Sequence, residues 1–250
     1  MSWFERWNAH IDSGRVTLTR RPLIGRTVTT RANWQVDVPP HTAIIDALRQ
    51  CIGSPSPRSA ILRVQLTDTL VRYTTIPWQT GLGSDADWST LAALRFREVH
   101  GDIATQWRVR LDPAAPGEDA LAAAMDETLV AALHTLAPNV KLGSVQSHFT
   151  CRLNNTLSQL PRQSVVFASI EDQRIVLAQV QRRRIARVRN ESFRGDAVKA
   201  ATALIQRWRL INPAAPGEPI WVHDDCEARH WPDILDNSPL TRIGRDGANP

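Results

Sequence analysis

What the chain lacks narrows its chemistry before any motif is sought. Lysine is nearly missing: Lys141 and Lys199 stand among 30 lysines and arginines, so 28 of these are arginine. A GC-rich coding sequence produces such usage, and by itself it signals no arginine-specific chemistry. The three cysteines, Cys51, Cys151 and Cys226, are widely spaced and odd in number. That excludes a disulfide framework and fits a reducing compartment. No apolar run reaches the ~18 residues that a membrane helix needs. The opening "MSWFERWNAHIDSGR" has no apolar signal core, so export through such a signal is not expected. There is no G-x-S-x-G, no cysteine beside an orienting histidine motif, no P-loop and no G-x-G-x-x-G, which removes the commonest nucleophile and nucleotide signatures.

What is present is ordinary in amount and uneven in placement. With 250 residues, 42% apolar and 22% charged, the chain suits one domain or two closely packed lobes with a sizeable core. Net charge is +5. The basic excess gathers in Gln173–Arg209 and gives way to an acidic stretch from Leu210 onward. Such a pair of segments serves either anion binding or mutual pairing on one surface.

Periodicity then supplies the elements. "HTAIIDALRQCIG" puts Ile44, Ile45, Leu48, Cys51 and Ile52 on one helical stripe and ends at Gly53. "SPSPR" (54–58) breaks the chain. "AILRVQLTDTLVRYTTIPW" reads as two strands about a "TDT" turn, "GLGSDAD" as a loop with a helix cap, "WSTLAALRFREVHG" as a helix closed by Gly101, and "TQWRVRLD" as a strand. "EDALAAAMDETLVAALHTLAP" fits two patterns: one helix, or a short buried strand followed by a helix capped by Asp126. "LGSVQSHFTCRL" reads as strand and loop, "SVVFASI" as a buried strand, "DAVKAATALIQRWRLI" as a helix, and "PIWVHDD" as the final buried strand. "DPAAPGE" and "NPAAPGE" are repeated Pro/Gly connectors rather than a structural repeat. Strands and helices alternate, which makes the fold class α/β in layers.

Four constellations could carry function. "QRRRIARVRN" is basic but has no interleaved aromatic for base stacking, and its alternation is that of a strand. Arg182, Arg183 and Arg184 then sit at a hairpin tip, and nucleic acid is not the expected partner. "HDDCEARH" (223–230) has metal-ligand residue types without ligand spacing, so no metal is expected there. "IDSGRVTL" holds Asp12-x-Gly14 after a strand that looks very short. Such a turn can aim backbone N–H groups at phosphate, although an ordinary turn has the same letters. Trp3, Phe4 and Trp7 give the N-terminus an apolar edge that suits packing onto the core.

Taken in order, these elements resemble the actin-like cytoplasmic proteins of type IV pilus and type II secretion assembly, the PilM family and the cytoplasmic domain of GspL. The resemblance runs over roughly 61–225. It rests on "ILRVQLTDTLVRYTTIPW", "STLAALRFREVHGDIATQWRVRLD", "LVAALHTLAPNVKLGSVQSHFTCRLNN", "SVVFASIEDQRIVLAQVQRRRIARVRN" and "DAVKAATALIQRWRLINPAAPGEPIWVHDD". It implies a two-lobed actin-like (ribonuclease H-like) α/β fold, shortened, with residues 1–160 as a first lobe carrying an inserted subdomain at about 60–140, and 161–250 as a reduced second lobe.

The resemblance also implies where nucleotide would bind, and there the match fails. The first lobe keeps Asp12 and Gly14. The second-lobe position reads "SIEDQRI", without glycine and with Glu171 and Asp172 at the bend, and the last strand runs into "HDDC" rather than a Gly-Gly loop. Two carboxylates facing a triphosphate without a metal repel it. The expectation is therefore a degenerate nucleotide site with no cofactor and no catalysis. The implied role is a scaffold at an inner-membrane assembly platform, partnered by a bitopic membrane protein or the assembly ATPase, with self-association open and Arg182–Arg184 as a candidate contact. A basic nucleic-acid-binding module and a divergent actin-like ATPase are the alternatives.

Overall fold

The computed structural model describes residues 5–22, 25–34, 40–53, 59–112, 115–171, 173–212, 217–226, 229–235 and 237–243. Trp3, Phe4, Asp172, the "SPSPR" break and parts of both Pro/Gly connectors lie outside the described residues. In chain order the elements are β1 (Glu5–Asp12), β2 (Arg15–Arg21), β3 (Val28–Asn33), α1 (Pro40–Ile52), β4 (Ala60–Leu66), β5 (Arg72–Ile76), α2 (Asp85–His100), β6 (Trp107–Asp112), β7 (Ala120–Asp126) and α3 (Glu127–His134). There follow β8 (Val140–Ser147), α4 (His148–Thr156), β9 (Val165–Ile170), β10 (Arg174–Gln181), β11 (Arg184–Ser192), α5 (Ala197–Ile211), β12 (Ile220–Asp224), β13 (Ile234–Leu235) and β14 (Ser238–Ile243). The chain divides into two compact units: Met1–Val71, Thr105–Arg108 and Met125–His148 form one, and the remaining segments form the other.

The first unit is built on a five-stranded sheet of order β3-β2-β1-β4-β8. β1 to β3 are antiparallel neighbours, while β4 runs parallel to β1 and β8 parallel to β4. β1 alternates strictly, with Trp7, Ala9 and Ile11 buried and the residues between them less so. It is eight residues long, so the expectation of a very short strand before Asp12 is corrected: interspersed Arg, Asn and His hide a period-2 pattern. Helix α1 packs its expected stripe onto β2 and β3. Its C-terminus is closed by Gly53, whose N–H bonds Arg49 O at φ +60°, and by Arg20, which donates to Cys51 O and Ile52 O at 2.5 Å. The Arg20 guanidinium also lies 4.7 Å over the Trp7 ring.

The second unit carries a six-stranded sheet, β11-β10-β9-β12-β14-β13, and a three-stranded one, β5-β7-β6. Every residue of β9 is buried, which is why "SVVFASI" reads as an unbroken apolar run. Helix α5, capped by Asp196 through Val198 N and Lys199 N, lays Ala201, Leu204, Ile205 and Trp208 against this sheet. Helix α2 begins with a complete capping box between Ser84 and Asp87. The small sheet meets β11 through Val188 N–H to Thr75 Oγ1 and Asn190 Nδ2–H to Tyr73 O, both at 3.0 Å.

The ambiguous segment is strand then helix: β7 ends at Asp126, whose side chain accepts from Thr128 N at 2.7 Å and starts α3. Two expectations are corrected. "HFTCRL" is not a loop but α4, where Phe149, Arg152, Leu153 and Thr156 are all buried at helical spacing. Nor is "PIWVHDD" the last strand, since β14 continues the sheet parallel to β12.

Candidate functional site

In the first unit, Asp12 and Arg15 pair across the two-residue turn Ser13-Gly14 that joins β1 to β2. Gly14 has φ +90°, a conformation that requires glycine. Trp34 covers the turn: its backbone N–H donates to Gly14 O at 2.8 Å and its indole N–H to Asp12 O at 3.2 Å. The Asp12 carboxylate lies 3.1 Å from His10 Nε2, and His10 Nδ1 lies 3.1 Å from Gln65 Oε1 on β4. His148, at the end of β8, stacks on His10 with centroids 4.1 Å apart and planes 15° apart.

In the second unit the bend after β9 is closed by Glu171 N–H to Arg174 O at 2.9 Å. The Glu171 side chain is 5% exposed and its Oε1 lies 3.7 Å from Arg152 Nη2. Arg152 comes from α4, is itself buried, and donates to Ser169 Oγ at 2.7 Å and to Asp225 Oδ1 at 2.5 Å. One guanidinium thus serves the bend, the end of β9 and the end of β12. Sequence reading picked out Glu171 and missed Arg152, because its segment had been read as a loop. The signal that could have found it is the i, i+3, i+4, i+7 spacing of Phe149, Arg152, Leu153 and Thr156.

The "HDDC" segment also has a structural occupation. Asp224 is buried, and its carboxylate accepts from Cys226 N at 2.9 Å, Arg229 Nη1 at 2.7 Å and the Trp231 indole at 2.9 Å. A carboxylate so engaged ties Cys226, Arg229 and Trp231 to the end of β12.

Arg182 and Arg183 form the tip between β10 and β11 with φ +50° and +65°. A two-residue hairpin with both central residues left-handed is normally Asn-Gly; here two arginines carry the strain. The tip lines a cleft of about 460 Å³ together with Glu118, Gln179, Gln181, Arg184 and Arg187. Arg184 lies 3.6 Å from Glu118, with both side chains about half exposed, and Arg183 donates to Ser158 O at 3.4 Å. A second groove, about 240 Å³, lies between α2 and β6 and is walled by Trp78 and Trp88, whose ring centroids are 5.3 Å apart. Neither tryptophan was singled out in the sequence.

A basic cluster completes the unit. Burial, and then the neighbouring Arg174 cation, lower the Arg72 pKa to about 10. Burial first, then Arg72 and Arg174, lower that of His100.

Parallel β1-β4-β8 and β9-β12-β14 strands, each extended on the other side of its first strand by an antiparallel hairpin, define an actin-like fold. A Bacteroides thetaiotaomicron protein with an actin-like ATPase fold and unknown function superposes with a TM-score of 0.62 at 10% identity, over 89% of this chain and 82% of that one. A chain of a PilM–PilN type IV pilus biogenesis complex gives 0.62 at 12% identity, over 97% and 89%. The cytoplasmic domain of EpsL, an inner-membrane component of the type II secretion system of Vibrio cholerae, gives 0.52 at 8% identity, over 97% and 91%. The resemblance read from element order thus holds at the level of fold for both the PilM and the GspL side. No protein-family model and no curated protein matches the chain.

Proposed function

We propose that the chain is a non-enzymatic scaffold of an inner-membrane assembly platform, for type IV pili or a type II secretion-like machine. It sits at the cytoplasmic face and binds the cytoplasmic segment of a bitopic membrane protein, or the assembly ATPase. The observation that carries this reading is the second-unit bend, where Glu171 is buried and held by Arg152. A phosphate turn offers glycine N–H groups and room for an anion. This bend supplies its own anion and its own counter-cation, so a triphosphate would have to displace a buried ion pair. The fold shared with a PilM–PilN complex and with EpsL supports the choice of machine. Among the described residues no helix is long and apolar enough to cross a membrane, which suits recruitment through a partner.

The cleft at the hairpin tip is the partner surface favoured by its chemistry. Arg182, Arg184 and Arg187 face one internal acid pair, Glu118 and Asp119, and a strained Arg-Arg tip is retained where Asn-Gly would be cheaper. Calorimetry with Mg-ATP and capture from inner-membrane extracts test the proposal together. It predicts no nucleotide binding or turnover, and retention of a bitopic assembly protein or the assembly ATPase that R182A/R184A/R187A abolishes without a change in melting temperature. Stoichiometric Mg-ATP binding with steady hydrolysis would replace the scaffold by an ATPase. Salt-sensitive binding of DNA or RNA through the same arginines would replace it by a nucleic-acid module.

A further inference from the structure

We infer that His10, Asp12 and His148 form a binding site for one divalent transition-metal ion that needs no nucleotide. One donor atom from each lies within 4.8 Å of the others. His10 and Asp12, two apart on β1, share a strand face, and His148 enters from the end of β8. His10 and Asp12 are half exposed, with side-chain exposures of 43% and 44%, while His148 is buried. An ion can therefore reach two ligands from solvent, with the third buried beside them.

The hydrogen bonding of His10 supplies an independent argument. Its Nδ1 faces Gln65 Oε1 and its Nε2 faces Asp12 Oδ1, each at 3.1 Å. Both partners are acceptors, yet a neutral imidazole carries a single N–H. If Nδ1–H donates to Gln65, the Nε2 lone pair points at a carboxylate oxygen, and a positive centre between them, either a second ring proton or a bound cation, relieves the opposition. His148 stacks on His10 with centroids 4.1 Å and planes 15° apart, so it supplies a third donor to that centre once its ring turns out of the stack. A metal ion meets the requirement in the usual arrangement, in which a ligating histidine donates its other ring N–H to an orienting oxygen. Gln65 is that orienting group, and the His10–Gln65 pairing is fixed by the β1–β4 register.

Ligand type selects the ion. Two imidazoles and one carboxylate suit zinc, cobalt, nickel or ferrous iron, whereas magnesium and calcium take oxygen ligands. Ligands about 2.1 Å from one ion lie at most about 4.2 Å apart, so the set, now within 4.8 Å, closes when the His148 ring turns out of its stack on His10. Water fills the remaining positions on the exposed side.

The test is calorimetry and equilibrium dialysis of the full chain with Zn²⁺ and Co²⁺, with Mg²⁺ as the control and no nucleotide present. The expected result is one equivalent of Zn²⁺ or Co²⁺ per chain, with a Co²⁺ visible spectrum of nitrogen and oxygen ligation. D12N and H148Q should each weaken binding by at least tenfold, and Q65L by about tenfold through loss of orientation. H230Q, in the histidine-bearing loop after β12, should leave it unchanged. D12N, at a half-exposed position, keeps the test valid if H148Q does not fold. The inference is overturned if no stoichiometric metal binds, if D12N binds like the parent, or if Mg²⁺ binds as well as Zn²⁺. Absence of binding would leave the His10 contacts satisfied by protons alone, through a second ring proton or through a turned Gln65 amide that donates to Nδ1. None of these outcomes depends on partner capture, so the scaffold reading stands or falls separately.

Discussion

Replacing Arg152 by methionine removes the cation from a nearly dry group of acceptors. Arg152 and Glu171 have side-chain exposures of 9% and 5% with 3.7 Å between charged atoms, while Asp225, at 2.5 Å, is 29% exposed. At an effective dielectric of about 20, charges at that first separation interact by roughly 4 kcal/mol before desolvation is counted. Removing one member of a buried pair costs about 3–5 kcal/mol, because the survivor stays buried and uncompensated. R152M should therefore lose about 3–5 kcal/mol of unfolding free energy. E171Q keeps the shape and leaves Arg152 bonded to Asp225 and Ser169, so it should cost clearly less. R152M/E171Q leaves only the partly exposed Asp225 without its arginine, and the double variant should be less damaged than the sum of the singles by more than about 1 kcal/mol. Urea titration followed by tryptophan fluorescence, to which Trp208 and Trp231 of this unit contribute, measures all four proteins. If R152M lies within about 1 kcal/mol of the parent, or the two changes add to within about 0.5 kcal/mol, the argument that Arg152 neutralises the bend is wrong.

Three further outcomes are expected. A Cβ at Gly143 would stand 2.6 Å from Ile61 Cγ2, beside the irregular β4–β8 register; G143V should cost about 1–3 kcal/mol by overpacking, and I61A should recover part of it in the double variant. His100 has its pKa lowered by burial and by the Arg72 and Arg174 cations, so the folded state resists its protonation. The associated stability is complete above the unfolded value of about 6.5 and is lost as pH falls through the lower folded value. The urea midpoint of H100N should fall less steeply below that pH, and parallel profiles would refute the assignment. Replacing Arg182-Arg183 by Asn-Gly should raise stability by about 1 kcal/mol through relief of left-handed strain and should weaken partner capture; unchanged capture would remove the tip from the partner surface.

The elements legible in the sequence were those whose packing obeys a simple period. The α1 and α5 stripes, the continuous β9 run and the capping signals at Ser84 and Asp126 all correspond to observed structure. β1 and α4 were obscured for one reason: each buries or half-buries polar side chains that composition assigns to loops. His10 and Asp12 on β1 face Gln65 and His148, and Arg152 on α4 faces Ser169 and Asp225. A polar residue is placed in a core only by its partners, and those partners are up to 138 residues away in the chain, as His148 is from His10. The site was hidden because its chemistry is long-range.

That distinction changes what the two turns are evidence for. Asp12-Ser13-Gly14 has the letters of a phosphate turn, yet φ +90° at Gly14 calls for glycine there whether or not an anion is bound. Its glycine is therefore neutral evidence on nucleotide binding, while its aspartate faces a histidine. The second bend is informative because hairpin geometry does not demand a buried glutamate at Glu171, and the arginine that α4 supplies stands 3.7 Å from it. An internal ion pair at this position needs two compatible residues from distant segments, and replacing either one alone removes the other's counter-charge there. The R152M and E171Q comparison thus bears on function as well as stability: strong coupling means that the bend is committed to holding its own charge, and a phosphate would have to compete with that pair.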